Sequence, residues 1–216
     1  NVSLQRMNEW KNYRISGWQE MNLDDQYLPL FPIFKEKITT NLRSCVHYHT
    51  QLEKKGYLKT TVDVFEDDSV FNSKLKGTPK SGFDLVITSP PYGDSRTTVA
   101  YAEFSWMVNV WLGLDVRSPG RLGKEMMGGN ISDQTERIGC RTIDSAIAKM
   151  DEKVAKKNYS FYRDYLKSIE HVSTSVKDGG VVCYVVGNRT SGGQVLRLDL
   201  FTRWAFEQNG FRRIGE

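Results

Sequence analysis

No run of this sequence is long and apolar enough to cross a bilayer. The longest, Val181-Val182-Cys183-Tyr184-Val185-Val186, has six residues, against roughly 20 for a spanning helix. A mean hydropathy of −0.50 and 26% charged residues agree with a chain that avoids membranes. Cysteine is scarce: Cys45, Cys140 and Cys183 are odd in number, widely separated, and form no C-x-x-C pair. That excludes a disulfide framework and points to a reducing compartment, the cytoplasm. The first residues, Asn1-Val2-Ser3-Leu4-Gln5-Arg6, lack the apolar core of a secretory signal. Charge of one sign is also in short supply. Thirty Lys and Arg against 26 Asp and Glu leave +4 over 216 residues. With a pI near 8.9, this favours a polyanionic partner only weakly.

Internal repeats and low-complexity tracts are absent too, which leaves an ordinary soluble globular chain. Aromatics at 12% argue against disorder. A chain of this length buries about 70% of the surface that it exposes when unfolded. The expected organisation is an N-terminal helical segment over residues 1–58 and a catalytic region over 59–216, with a surface insertion at about 115–150.

Apolar and aromatic residues recur at spacings of three and four from 34 to 57, through Ile38, Leu42, Cys45, Val46 and His49, which predicts a helix. Lys54-Lys55-Gly56 is a helix exit. Residues 60–65 alternate and are β-branched, which predicts a short strand running into Glu66-Asp67-Asp68-Ser69. Residues 83–88, Phe-Asp-Leu-Val-Ile-Thr, read as a central strand covered on both faces. Ser89-Pro90-Pro91-Tyr92-Gly93 must end it, because two prolines cannot continue a ladder. A helix is expected at about 99–114. Residues 115–150 show little periodicity and read as a long surface excursion.

A basic, aromatic helix is expected at about 154–176. Its Lys153, Lys156, Lys157, Arg163 and Lys167 would face outward, with Tyr159, Phe161, Tyr162 and Tyr165 inward. Asp178-Gly179-Gly180 turns into a strand at 181–186, then a loop at 187–193 and a helix at about 198–208. Gly210-Phe211-Arg212-Arg213 looks like the start of a further strand. This alternation of strand and crossover helix is the grammar of a parallel α/β sheet. Its ligands bind beyond the carboxyl ends of the strands, where both the acidic turn and the Pro-Pro turn fall.

Asp84-Leu85-Val86-Ile87-Thr88-Ser89-Pro90-Pro91-Tyr92 resembles the catalytic motif of the amino-group DNA methyltransferases. These enzymes methylate the N4 of cytosine or the N6 of adenine with S-adenosylmethionine. The run Gly93-Asp94-Ser95-Arg96-Thr97-Thr98-Val99-Ala100-Tyr101, with Phe104-Ser105 and Trp111-Leu112-Gly113-Leu114, is similar to the stretch directly after the prolines in one branch of that group. The likeness extends more weakly to residues 181–193 and the helix after them. It implies a Rossmann-like methyltransferase sheet, mostly parallel and incomplete in this chain.

Such a site has a chemical reason. An exocyclic amine is a poor nucleophile because its lone pair is delocalised into the ring. Two acceptors against its two N–H bonds hold the nitrogen where that lone pair leaves the ring plane. By resemblance, these are the Ser89 hydroxyl and the Pro90 carbonyl, held rigid by the Pro90-Pro91 pair. Tyr92 offers a face for an extruded base. Methyl transfer then needs proximity and alignment, without a metal or covalent intermediate. A Pro-Pro turn also ends strands for purely structural reasons, but the apolar strand before it and the run after it favour the catalytic reading.

Serine at the first position leans toward cytosine N4, and aspartate would lean toward adenine N6. The resemblance also assigns Asp68, at the end of the 60–65 strand, to the adenine amino group or ribose hydroxyls of S-adenosylmethionine, with Thr88 beside it. A solvated turn or cap is the competing reading for the acidic cluster. Arg96, Arg117, Arg121 and Lys124 are candidates for the phosphates of double-stranded DNA. Asn188 and Arg189 are candidates for the pocket rim. Cys45-x-His47-x-His49 places too few ligands together for zinc.

The family's glycine-rich cofactor turn is absent. The doublets Gly128-Gly129 and Gly192-Gly193 lack the strand that should precede it. In one known motif order that element comes before the catalytic motif, which would place it before Asn1. The implied protein is thus a fragment, a permuted enzyme, or one subunit whose cofactor half lies on a second polypeptide. Restriction–modification is the expected setting. A non-catalytic DNA-binding subunit is the contrasting expectation.

Overall fold

A computed structural model describes residues 30–59, 61–65, 67–70, 72, 74–93, 108–110, 112–113, 123–133 and 135–215. The chain divides into two units, Asn1–Val62 and Asp63–Glu216. In the first unit, α1 spans Leu30–Lys54. It carries Phe34, Ile38, Leu42 and Val46 at helical spacing, all of them exposed. It ends in a Schellman motif: the Gly56 N–H donates to the Glu53 carbonyl at 3.0 Å and the Tyr57 N–H to the Leu52 carbonyl at 2.9 Å. Two otherwise orphaned carbonyls are satisfied there.

The second unit is α/β. β1, Phe83–Thr88, pairs in parallel with β2, Val176–Tyr184. The ladder sets Leu85 against Val181, Val86 against Val182, Ile87 against Cys183 and Thr88 against Tyr184, with a register shift between Phe83 and Leu85. Residues 177–180 bulge out of that ladder, so the expected Asp178-Gly179-Gly180 turn is an irregularity inside a strand that begins at Val176. Parallel strands need a long crossover. Here it contains α2, Arg141–Ile147, and α3, Glu152–Ser175.

After β2 comes a hairpin, β3 (Arg189–Ser191) with β4 (Gln194–Leu196), and then α4, Leu198–Gln208. The hairpin turn is Gly192-Gly193, with φ of +53° and +71°. Such values at both central residues define a tight hairpin turn whose twist matches the strands, and glycine adopts them without steric cost.

The core is built on α3. Its buried residues Ala155, Tyr159, Tyr162, Tyr165, Ile169 and Val172 keep the three-and-four spacing of one helix face. They pack with Ile143 and Ile147 of α2, with Leu196, and with Leu198, Phe201 and Ala205 of α4. Tyr162 meets Phe201 edge-to-face at 4.7 Å, a geometry that adds about 0.5–1.5 kcal/mol to area burial. The Tyr165 hydroxyl lies 3.0 Å from Thr202 Oγ1, which satisfies both buried hydroxyls. Val86, Val182 and Tyr184 bring one face of the sheet onto this cluster.

Several expectations change. Residues 61–65 form no strand. Val62 and Val64 are 83% and 91% exposed, and alternation cannot make a strand without a ladder partner. β1 is not covered on both faces among the described residues: Leu85 and Ile87 are 51% and 68% exposed. Its apolar run therefore reflects one packed face and one open face. The stretch read as a surface excursion enters the core at its end, where Cys140, Ile143 and Ile147 are buried. Their spacing of three and four is short and comes after a polar run that hides it. Residues 187–193 contain β3 and a turn rather than loop alone. Residues 211–215 do not form a strand. The helix expected at 99–114 falls largely outside the described residues, although 108–110 are helical. Among the described residues, no helix is long and apolar enough to cross a membrane.

Candidate active site

β1 stops where its chemistry changes. The Thr88 carbonyl accepts the last ladder bond, from the Val185 N–H at 3.0 Å, and Pro90 and Pro91 then offer no N–H to continue it. The chain leaves the sheet at its carboxyl end and enters a cleft of about 1000 Å³, the upper end of ordinary small-molecule sites. Ser89, Pro90, Pro91 and Tyr92 form one wall. The Ser89 and Tyr92 hydroxyls are 2.8 Å apart, so they share a hydrogen bond at the mouth. Ser89 is exposed and Tyr92 half-buried.

The second wall is the acidic turn. Asp67 organises it: its Oδ1 accepts from the Asp68 N–H at 2.9 Å and from the Asn72 amide, and its Oδ2 from the Lys76 N–H at 2.6 Å. The Lys76 N–H is the main cause holding the Asp67 carboxyl below the usual carboxylate value, with partial desolvation opposing it. Asp68 Oδ1 accepts from the Val70 N–H at 2.8 Å, a side-chain turn that fixes the carboxylate at the cleft. The capping reading of the acidic cluster thus holds for both residues. Asp68 also lines the cleft, where its carboxylate suits a ligand bearing amino or hydroxyl donors.

α3 supports both this turn and the third wall. Ser168 Oγ lies 2.9 Å from Ser69 Oγ, and His171 Nδ1 lies 2.9 Å from the Ser69 carbonyl. Ser175 Oγ accepts from the Leu75 N–H at 3.0 Å. Nearer the helix start, Ser160 Oγ accepts from the Ser132 N–H and Asp164 Oδ2 from the Gly128 N–H, each at 2.9 Å. These bonds hold the loop at 123–132 that brings Lys124 and Met127 to the cleft. Ser160, Asp164, Ser168 and His171 recur at spacings of four and three, one polar stripe beside the buried aromatic one.

Ser89, Pro90, Pro91, Tyr92, Asp68 and Lys124 therefore converge on one cleft. Thr88 lies just behind it in the ladder. Asn188 and Arg189 turn elsewhere. Asn188 Oδ1 accepts from the Asp199 N–H at 3.2 Å, at the start of α4. The Arg189 guanidinium donates to Asn158 Oδ1 at 2.6 Å and lies 5.5 Å over Phe161. The hairpin aims both side chains at neighbouring helices, not at the pocket rim. Arg96, Arg117 and Arg121 lie outside the described residues.

Arg163 and Lys167 line the cleft, although their sequence context reads as the outward face of a helix. Arg163 also donates to the Glu136 carbonyl at 2.8 Å and lies 5.7 Å over the Tyr159 ring. Their i, i+4 spacing was the available signal, but spacing alone does not say which surface a helix side will meet. Among the described residues, no three His, Cys, Asp or Glu side chains gather to hold a metal.

No family model matches the chain, and no solved structure matches it. Over 88% of its length the chain is 32% identical to the Type II methyltransferase M.MvaI of Kocuria varians, and it spans 43% of that protein's length.

Proposed function

We propose that this chain carries the catalytic region of an S-adenosylmethionine-dependent DNA methyltransferase. In this reading it methylates the exocyclic N4 of cytosine within a restriction–modification system. The observation that carries the reading is the convergence of Ser89-Pro90-Pro91-Tyr92 with Asp68 on one cleft at the carboxyl end of a parallel strand. The similarity to a Type II methyltransferase supports it.

The residues divide the work by chemistry. Ser89 Oγ and the Pro90 carbonyl accept the two N–H bonds of the target amine and fix its nitrogen with the lone pair directed away from the ring. Tyr92 stacks on a base taken out of the duplex, an interaction worth ~1–3 kcal/mol. Asp68 accepts donors of the adenosine portion of the cofactor. S-adenosylmethionine, when bound, supplies a methyl group on a sulfonium sulfur. Lys124, on the loop held by Asp164 and Ser160, meets a DNA phosphate. The glycine-rich cofactor turn, which is missing from residues 1–216, is assigned to another segment or to a second polypeptide. A serine in place of aspartate at position 89 favours cytosine over adenine.

The test uses the complete enzyme and nucleoside mass spectrometry of its DNA product. N4-methylcytosine supports the assignment, and N6-methyladenine transfers it to adenine. The Ser89→Ala variant should lose about a hundredfold in methylation, the scale set by removing one group that contacts reacting atoms, while DNA retention stays unchanged. An unaltered rate would leave this chain as a DNA-binding subunit without the chemistry.

A further inference from the structure

We propose that the Tyr92 hydroxyl and Gly187 are positioning groups that convert the Ser89 hydroxyl into a pure hydrogen-bond acceptor for the target amine. This rests on the methyl-transfer reading and adds to it a role for the phenol oxygen that ring stacking does not require.

A serine hydroxyl is an ambiguous partner for an amine. It has two lone pairs but also one hydrogen, and a hydrogen aimed at the substrate N–H opposes binding. A carboxylate at the same position would have no such hydrogen. Ser89 is exposed at the strand end, so no close packing fixes the direction of its hydroxyl hydrogen. The Tyr92 hydroxyl lies 2.8 Å from Ser89 Oγ. Either hydroxyl can donate across this contact. An amine N–H arriving at Ser89 Oγ selects the arrangement in which Ser89 donates to the Tyr92 oxygen, which turns the troublesome hydrogen away and leaves both Ser89 lone pairs for the amine. The pair then behaves at the substrate as an acceptor only.

Tyr92 can do this only if its ring is correctly seated. Gly187, just beyond β2, supplies the seat. A Cβ at Gly187 would fall 3.2 Å from Tyr92 Cδ2, 3.4 Å from Cε2 and 3.7 Å from Cγ. The first of these is closer than side-chain carbons ordinarily approach, so alanine would displace the ring by a few tenths of an ångström. Displacing the ring moves its hydroxyl from Ser89. The segment that follows the other strand of the parallel pair thereby acts on the acceptor at the end of β1.

The experiment compares Tyr92→Phe, Gly187→Ala, Ser89→Ala and Ser89→Ala/Tyr92→Phe in the complete enzyme. Single-turnover methylation is measured beside the fluorescence of 2-aminopurine substituted at the target position, which reports base extrusion. Phenylalanine keeps the stacking face, so extrusion and DNA affinity should stay within about twofold. Methyl transfer should fall about five- to tenfold, the rate equivalent of one neutral hydrogen bond. Gly187→Ala should show the same split. In the Ser89→Ala background, removing the Tyr92 hydroxyl should cost nothing more, because it acts only through Ser89.

A Tyr92→Phe rate within twofold of the parent, or an additive loss in the double variant, would overturn the inference. If Ser89→Ala is harmless, the methyl-transfer reading falls and takes this one with it. A large Ser89→Ala loss with a silent Tyr92→Phe removes this inference alone.

Discussion

Asn158 offers the sharpest test of how the region is held together. It is 1% exposed, inside α3. Its Nδ2 donates to the Val154 carbonyl at 2.9 Å and to Ser191 Oγ at 3.0 Å, and its Oδ1 accepts from the Arg189 guanidinium at 2.6 Å. One amide thus joins the helix to the β3–β4 hairpin at two points. Replacing it with alanine removes a bond to a charged donor, worth about 1.5–3 kcal/mol net, and a neutral one worth about 1 kcal/mol.

The expected loss for Asn158→Ala is therefore about 2.5–4 kcal/mol, read as a lower urea midpoint with an unchanged slope. Trp204 is a convenient fluorescent reporter, since it packs 5.5 Å from Phe201 in the same core. A cycle with Arg189→Ala should show about 1–2 kcal/mol of coupling. A loss below about 1 kcal/mol, or no coupling to Arg189, would refute the claim that this amide anchors the hairpin.

Burial and charge lead to two further outcomes. Cys45 and Cys183 are exposed and Cys140 is buried, with burial raising the Cys140 thiol above its ordinary value. A thiol reagent at mild alkaline pH should label Cys45 and Cys183 at once and Cys140 only after denaturation; rapid labelling of Cys140 would contradict the packing around α2. For Asp67, the Lys76 N–H holds the folded carboxyl below its ordinary value of 3.8. A group depressed in this way contributes stability above its unfolded pKa and loses it as pH falls through the lower folded one. The Lys76 amide resonance should accordingly shift only below about pH 4, and Asp67→Asn should abolish that step.

Much of the architecture was legible in one dimension. The Phe83–Thr88 run and the 198–208 helix carry local signals, a β-branched apolar stretch ended by prolines and an amphipathic pattern ended by Asn209-Gly210. Neither needs a distant partner to be recognised. The α3 aromatics are readable for the same reason, because helical spacing groups the buried rings on one face, although it does not separate Arg163 and Lys167, which line the cleft, from charges that face solvent. The Pro-Pro turn marks a strand end in the sequence itself. The failures share one cause. Residues 61–65 looked like a strand, but a strand exists only where another chain segment supplies its hydrogen bonds. Ile143 and Ile147 read as part of a loop because a short apolar spacing after a polar run acquires meaning only when α3 covers it.

The order of residues by itself determined the chemistry on offer: a serine hydroxyl and a proline carbonyl on a stiff turn, an aromatic ring beside them, and an acidic cluster. Tertiary structure decided which of these meet. It brought Asp68, Lys124, Arg163 and Lys167 to the cleft of Ser89 and Tyr92, turned Asn188 and Arg189 away from it, and laid Gly187 against the Tyr92 ring. The reason is physical. Backbone geometry and side-chain type act over a few residues, whereas convergence of groups far apart in sequence depends on how α3, the sheet and the hairpin bury their apolar faces together.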